Sequence, residues 1–193
     1  MVVSYLFGAI PISWLLVKTI TGKNIAKEGS GNVGTMNAYN LSQKKWIGII
    51  VLLFDMCKAI VAVILATWLF GNSFQIIFFS SISVLLGHKF NVFLKFRGGI
   101  GLAPALGIML LINFMPAISW CLVWLVAWII DKDMDKAIIS ASALGLLFPW
   151  IIEFESYKVT SSIFFMDFSD LQLFILIINL LLLISPGLYR KKV

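Results

Sequence analysis

Histidine occurs once in this sequence, at His88, and cysteine twice, at Cys57 and Cys121. A lone histidine argues against any multi-histidine metal site. The cysteines, each inside an apolar run, have neither zinc-type spacing nor the density of a disulfide framework. They are expected to be small buried hydrophobes, and neither a metal nor a cofactor is expected. Charge is scarce as well: 15 Lys and Arg with 9 Asp and Glu make up only 12% of 193 residues, too little to clothe a soluble domain. No G-x-S-x-G elbow is present, and one histidine would have to find both a nucleophile and an orienting acid, which argues against covalent triad catalysis. The formal charge of +6 does not point to nucleic acid, because no basic helix or stripe with interleaved aromatics lies outside the apolar runs.

Apolar residues are what the chain has in quantity. They form 61% of it, with a mean hydropathy of +1.01, so lipid is the solvent for most of the sequence. The pattern predicts an all-α polytopic membrane protein of about seven transmembrane helices, forming a single domain over residues 1–193. The spans fall near 2–20, 46–70, 75–90, 102–113, 116–130, 137–152 and 171–187. The first is read as retained, since no basic n-region precedes it and no small-residue cleavage site ends it. The fourth and fifth are short and separated only by Asn113 to Pro116, so a broken helix or re-entrant hairpin is the alternative to two spans.

Loop charge gives the orientation. Lys18, Lys23, Lys27, Lys44, Lys45, Lys89, Lys95, Arg97, Lys132, Lys136, Arg190, Lys191 and Lys192 fall at the odd exits, and only Lys158 falls at an even one. The positive-inside rule then sets the N-terminus outside and the C-terminus in the cytoplasm. The segment from Asp131 to Lys136 reads as a solvated connector, lacking the glycine turn and terminal glutamate of an EF-hand. Asp55 and Lys58 stand three apart on one face of the second span, either a functional pair at membrane depth or a mutually neutralising one that holds helices together.

Two inner loops carry the motifs. In the first, Gly29, Gly31 and Gly34 satisfy G-x-G-x-x-G, but a membrane helix precedes them rather than a strand, so a dinucleotide fingerprint is rejected. Glycines free to take positive φ let successive N–H groups converge on an anion, with Ser30, Asn32 and Asn37 adding donors; the plainer reading is a turn capping the next helix. In the second, Gly98, Gly99 and Gly101 directly precede an apolar segment beside Lys95 and Arg97, the layout of an anion nest at a helix N-terminus. Phe90, Phe93 and Phe96, spaced three apart, read as an aromatic belt at headgroup level. His88 is either a neutral-pH base or a hydrogen-bonding anchor for its loop.

Together these motifs resemble those of the bacterial acyl-phosphate:glycerol-3-phosphate acyltransferase family. Tyr5 to Pro11 resemble its first-span signature, Gly29 to Asn37 its G-S-G-N-x-G-x-x-N loop, and Gly87 to Ala103 its G-H-x-F loop with the following glycine cluster. Asp55 and Lys58 also fall where that family has an Asp and a Lys. The resemblance implies a multi-pass enzyme of the bacterial inner membrane that moves an acyl group directly from acyl phosphate to glycerol 3-phosphate, giving lysophosphatidic acid for phospholipid synthesis. It implies catalytic roles for Ser30 and His88, and substrate binding by Asn32, Gly34, Asn37, Lys95, Arg97, Gly98, Gly99 and Gly101. Its implied partners are acyl phosphate, glycerol 3-phosphate, membrane lipid and other enzymes of phospholipid synthesis.

The chain departs from that pattern at identifiable places. Asn40 stands where the family has an arginine, Asn91 where it has a proline and Ile100 where it has a lysine. Ser185 to Val193 lacks the family's His-Arg-x-Asn type motif. A charge-assisted phosphate contact is worth about 1.5–3 kcal/mol, so the missing cations weaken anion binding unless Lys44, Lys45, Lys95 or Arg97 replaces them. The alternatives are therefore a catalytically impaired relative that binds an acyl-phosphate or phospholipid intermediate, and a small membrane transporter built on Asp55 and Lys58.

Overall fold

A computed structural model describes residues 1–147 and 168–184, and among these every regular element is helical. Two compact units part within one helix, at Ile108 and Met109, and are taken separately. The first holds α1 (Val2–Ala9), α2 (Ile12–Thr21), α3 (Thr35–Ser42), α4 (Lys45–Phe70), α5 (Phe74–Lys89), a 3-10 turn (Val92–Leu94) and most of α6 (Leu102–Ile112). The second holds α7 (Phe114–Asp131), α8 (Met134–Gly145) and α9 (Phe168–Leu183). Among the described residues, four stretches are long and apolar enough to cross a bilayer: Val2–Thr21, Lys45–Phe70, Phe74–Leu94 and Phe114–Asp131.

The first stretch is not one straight helix. Pro11 carries no N–H and disfavours helical geometry at the residue before it, so α1 stops at Ala9 and α2 restarts at Ile12. Side chains from other helices serve the carbonyls around the break: Lys58 Nζ donates to Ile10 at 3.1 Å and Asn91 Nδ2 to Ala9 at 2.7 Å. Against α5, α1 packs backbone to backbone. A methyl group at Gly8 would run into the Val84 carbonyl, and one at Gly87 into that of Tyr5. Such close approach is how apolar helices associate where lipid removes the hydrophobic drive. It supplies a packing reason for a glycine in each of two motifs.

The loop after α2 closes on α4 through an apolar cluster of Val17, Ile25, Val33, Ala38, Ile47 and Val51. The α3 helix, a short and largely polar element absent from the span reading, lies inside that loop. Cys57 and Cys121 are exposed rather than buried. Cys57 shares the outward face of α4 with Leu53, Phe54, Val61 and Ile64, all exposed. In hydrocarbon an outward face is as apolar as a core, so a small thiol sits there without cost.

In the second unit, Asn113 is extended (φ −159°, ψ 120°) and separates α6 from α7, its Oδ1 accepting the Met115 N–H at 2.9 Å. Trp124 and Trp128 stack at 6.2 Å along α7, and Lys132 Nζ sits 4.7 Å above the Trp128 ring, an aromatic–cation ladder at the helix end. The Asp131–Lys136 connector is a tight one: Lys132 is left-handed and Asp133 caps α8 through Asp135 and Lys136 N–H. The later part of the sixth span, the acids Glu153, Glu155 and Asp167 that follow it, and Ser185 to Val193 lie outside the described residues.

Candidate active site

The first glycine loop is organised by one buried amide. Asn37, 3% exposed, reaches back from α3 with its Nδ2 at 3.2, 3.1 and 2.9 Å from the carbonyls of Ile25, Glu28 and Asn32. Its Oδ1 accepts the Ser30 N–H at 3.2 Å. An amide engaged on both atoms inside its own loop shapes that loop. Gly29 (φ 61°) and Gly31 (φ 75°) adopt the left-handed turn expected of them, while Gly34 (φ −144°, ψ −180°) is extended and precedes α3. Ser30 is exposed, its hydroxyl accepting only a long 3.4 Å contact from the Asn32 N–H. Asn32 Oδ1 is buried with no hydrogen-bond partner among the described residues, leaving an unused acceptor in this loop.

The second loop leaves α5 through His88 and Lys89, passes the 3-10 turn, and folds back. Gly99 donates its N–H to the His88 carbonyl at 3.1 Å, and both Gly98 and Gly99 lie too close to the α5 terminus to admit a Cβ. Gly101 (φ 97°) accepts the Ala105 N–H at 3.0 Å, so the glycine run feeds directly into the start of α6. The two loops then meet. Val33 donates its N–H to the Gly98 carbonyl at 3.1 Å, and the Ser13 hydroxyl holds the Val33 carbonyl at 3.2 Å.

Beneath this junction lies a polar cluster joining the second and third spanning stretches. Lys58 Nζ is 2.7 Å from Asp55 Oδ1 and 3.1 Å from His88 Nδ1, and His88 Nδ1 is 3.6 Å from Asp55 Oδ1. Asp55, Lys58 and His88 are 2%, 8% and 5% exposed. An ammonium group only donates, so Nδ1 of His88 is the acceptor and the ring proton belongs on Nε2, which faces Gly99. Nδ1 is thereby committed to the fold, and Nε2 is packed against Gly99. Of the two readings of His88, this geometry favours the loop anchor. Sequence reasoning missed the His88 partnership because it joins residues 30 positions apart on separate helices.

Lysines and arginine divide into two groups here. Lys44, Lys45, Lys95 and Arg97 are exposed, as are Asn40 on α3 and the rings of Phe90, Phe93 and Phe96. Lys89, which sequence reasoning had noted only as a loop charge, is 5% exposed, with its aliphatic stem beside Gly101. Its place directly after His88 at the end of α5 was the available signal. Lys95 (φ 56°) and Phe96 (φ 60°) are consecutive left-handed residues immediately before the Arg97–Gly98 step. Among the described residues no group of His, Cys, Asp and Glu forms a metal site.

Helical stretches able to span a bilayer, with two glycine loops docked backbone to backbone over a buried ionic cluster, describe a membrane protein equipped for a small polar ligand. The family profile for glycerol-3-phosphate acyltransferase matches residues 1–186, and the chain belongs to that family. It is 37% identical over 163 residues to the glycerol-3-phosphate acyltransferase of Pelagibacter ubique strain HTCC1062, covering 84% of this chain and 80% of that one. With the enzyme of the same name from Wolbachia pipientis subsp. Culex pipiens strain wPip it shares 31% over 159 residues, 82% of each chain. The crystal structure of PlsY (YgiH), an integral membrane glycerol 3-phosphate acyltransferase, in its glycerol 3-phosphate form superposes with a TM-score of 0.75 at 27% identity, over 95% of this chain and 84% of that one. The lysophosphatidic acid form gives 0.73 at 26%, with the same coverage.

Proposed function

We propose that this chain transfers an acyl group from acyl phosphate to the hydroxyl of glycerol 3-phosphate, forming lysophosphatidic acid in phospholipid biosynthesis. The observation that carries the reading is the Val33 N–H to Gly98 carbonyl bond, which makes one site of the two motif loops. The glycerol oxygen attacks the acyl carbonyl carbon, the bond from that carbon to the phosphate oxygen breaks, and the hydroxyl proton leaves with inorganic phosphate. No enzyme-bound acyl group is required. Ser30 and the unused Asn32 Oδ1 meet the glycerol hydroxyls, while Lys95, Arg97 and the Gly98–Gly101 run serve the phosphates. Gly34 and Asn37 hold the first loop open to them. His88 acts by placing Gly99. Orientation and preorganised donors supply the rate in such a site.

In this reading residues 1–193 work as one functional domain of about seven spans in the bacterial inner membrane, N-terminus outside, with the loops after the first and third spans in the cytoplasm. The acyl chain enters from lipid, and the product passes to other enzymes of phospholipid synthesis. Release of inorganic phosphate from acyl phosphate by the purified chain is the test. Release that depends on glycerol 3-phosphate is expected. Acyl-phosphate binding with no release at saturating substrate, by demonstrably folded protein, would instead establish a non-catalytic relative.

A further inference from the structure

Asn91 is where the second loop departs from the family's proline, and its backbone keeps a conformation proline would accept, φ −70° and ψ 109°. Unlike proline it carries a polar side chain, and that side chain is held at both ends. Nδ2 donates to the Ala9 carbonyl at 2.7 Å, at the break between α1 and α2, and Oδ1 accepts the Phe93 N–H at 3.0 Å. The Asn91 carbonyl accepts from Leu94 at 3.0 Å and from Phe96 at 2.8 Å. The residue is 3% exposed.

Downstream of this knot, Lys95 and Phe96 are both left-handed, a backbone state that non-glycine residues keep only where their surroundings impose it. The Phe96 bond to Asn91 is part of that imposition. Next come Arg97 and the glycines that meet the first loop. Only one other side-chain tether joins α1 to this loop among the described residues, the Tyr5 hydroxyl on the Phe90 carbonyl.

We infer that Asn91 is a positioning residue: its amide pins the 90–97 loop to the end of α1 and so fixes where Lys95, Arg97 and Gly98 stand toward the phosphate of glycerol 3-phosphate. The inference rests on the acyltransferase reading. Asn91→Asp is the sharpest variant, because it keeps the acceptor for Phe93 and removes the donor to Ala9; Asn91→Ala removes both.

Each variant is purified beside the parent chain, and steady-state phosphate release is measured along with hydrogen exchange of the loop amides. The KM for glycerol 3-phosphate is expected to rise roughly tenfold or more. Exchange at Leu94 and Phe96 accelerates. Loss of kcat alone, in proportion to misfolded protein, or an unchanged KM for glycerol 3-phosphate, overturns the assignment. Should neither Asn91 variant fold, Tyr5→Phe removes the companion tether and is expected to give a smaller KM shift of the same kind; no shift overturns it. If the parent chain itself releases no phosphate, the acyltransferase reading fails, and the exchange rates alone decide the pin, with unchanged exchange at Leu94 and Phe96 overturning it.

Discussion

The Val33 N–H lies 3.1 Å from the carbonyl of Gly98, and these two residues come from loops that enclose α3, α4 and α5 between them in sequence. On the acyltransferase reading, the site relies on that junction being tight. Gly99 is sensitive to it, since a Cβ there would overlap His88 Nε2 and stand 3.0 Å from the Val33 carbonyl.

Gly99→Ala is expected to push the loops apart and lower kcat/KM about 100-fold, the usual consequence of a small displacement of reacting groups. Thermal unfolding of the same sample, followed with its turnover, separates this from collapse of the fold: activity falls far more than the melting temperature does.

Ser30 is exposed and makes no short contact, so Ser30→Ala leaves stability within about 0.5 kcal/mol. Its hydroxyl is assigned to the glycerol hydroxyls, and losing a neutral hydrogen bond of about 0.5–1.5 kcal/mol lowers kcat/KM roughly 2- to 10-fold. Phosphate release with and without glycerol 3-phosphate measures the loss; parent-like turnover would remove Ser30 from the site.

Asp55 and Lys58 behave as a unit. Lys58→Met strands a buried carboxylate and is expected to cost about 3–5 kcal/mol, visible as a large drop in melting temperature in detergent. The double variant Asp55→Leu with Lys58→Met recovers much of that loss, because neither charge is left behind. A double variant as unstable as the single one would contradict the pairing.

Restoring the family's cations tests the departures. Ile100→Lys and Asn40→Arg are each expected to lower the KM for glycerol 3-phosphate by roughly tenfold, the worth of about one charge-assisted phosphate contact. Substrate titration of each variant reads this directly. An unchanged KM would mean that the lysines and arginine already on these loops fill the need.

Some of the molecule was legible in its residues and some was not. The long apolar runs of α4 and α5 were plain, ending within a residue or two of the structure, because hydropathy and helix geometry share one length scale in a bilayer. Pro11 marked the break in the first span, but its consequence was read only as part of a motif. Burial of Cys57 was illegible in principle, since lipid and core reward the same side chains and an apolar-all-round helix has no face to declare. At the site, each glycine loop was legible from its own motif, whereas the engagement of the Asn37 amide within its own loop, at Ile25, Glu28, Ser30 and Asn32, was not. The His88 contact with Asp55 and Lys58 needed the third dimension, because no local spacing encodes which face of one helix meets which face of another.

The Ala9 and Ile10 carbonyls have a bearing on biogenesis. Their side-chain partners, Asn91 and Lys58, belong to segments made after the first apolar stretch has left the ribosome. Until those segments arrive, the break would present polar backbone to hydrocarbon, a costly state that favours waiting near the headgroups, where water can serve the same oxygens. That stretch is thus made before its partners and matures after them. A chain truncated before Asn91 would hold it in an immature position, exposed to quality-control proteases of the membrane.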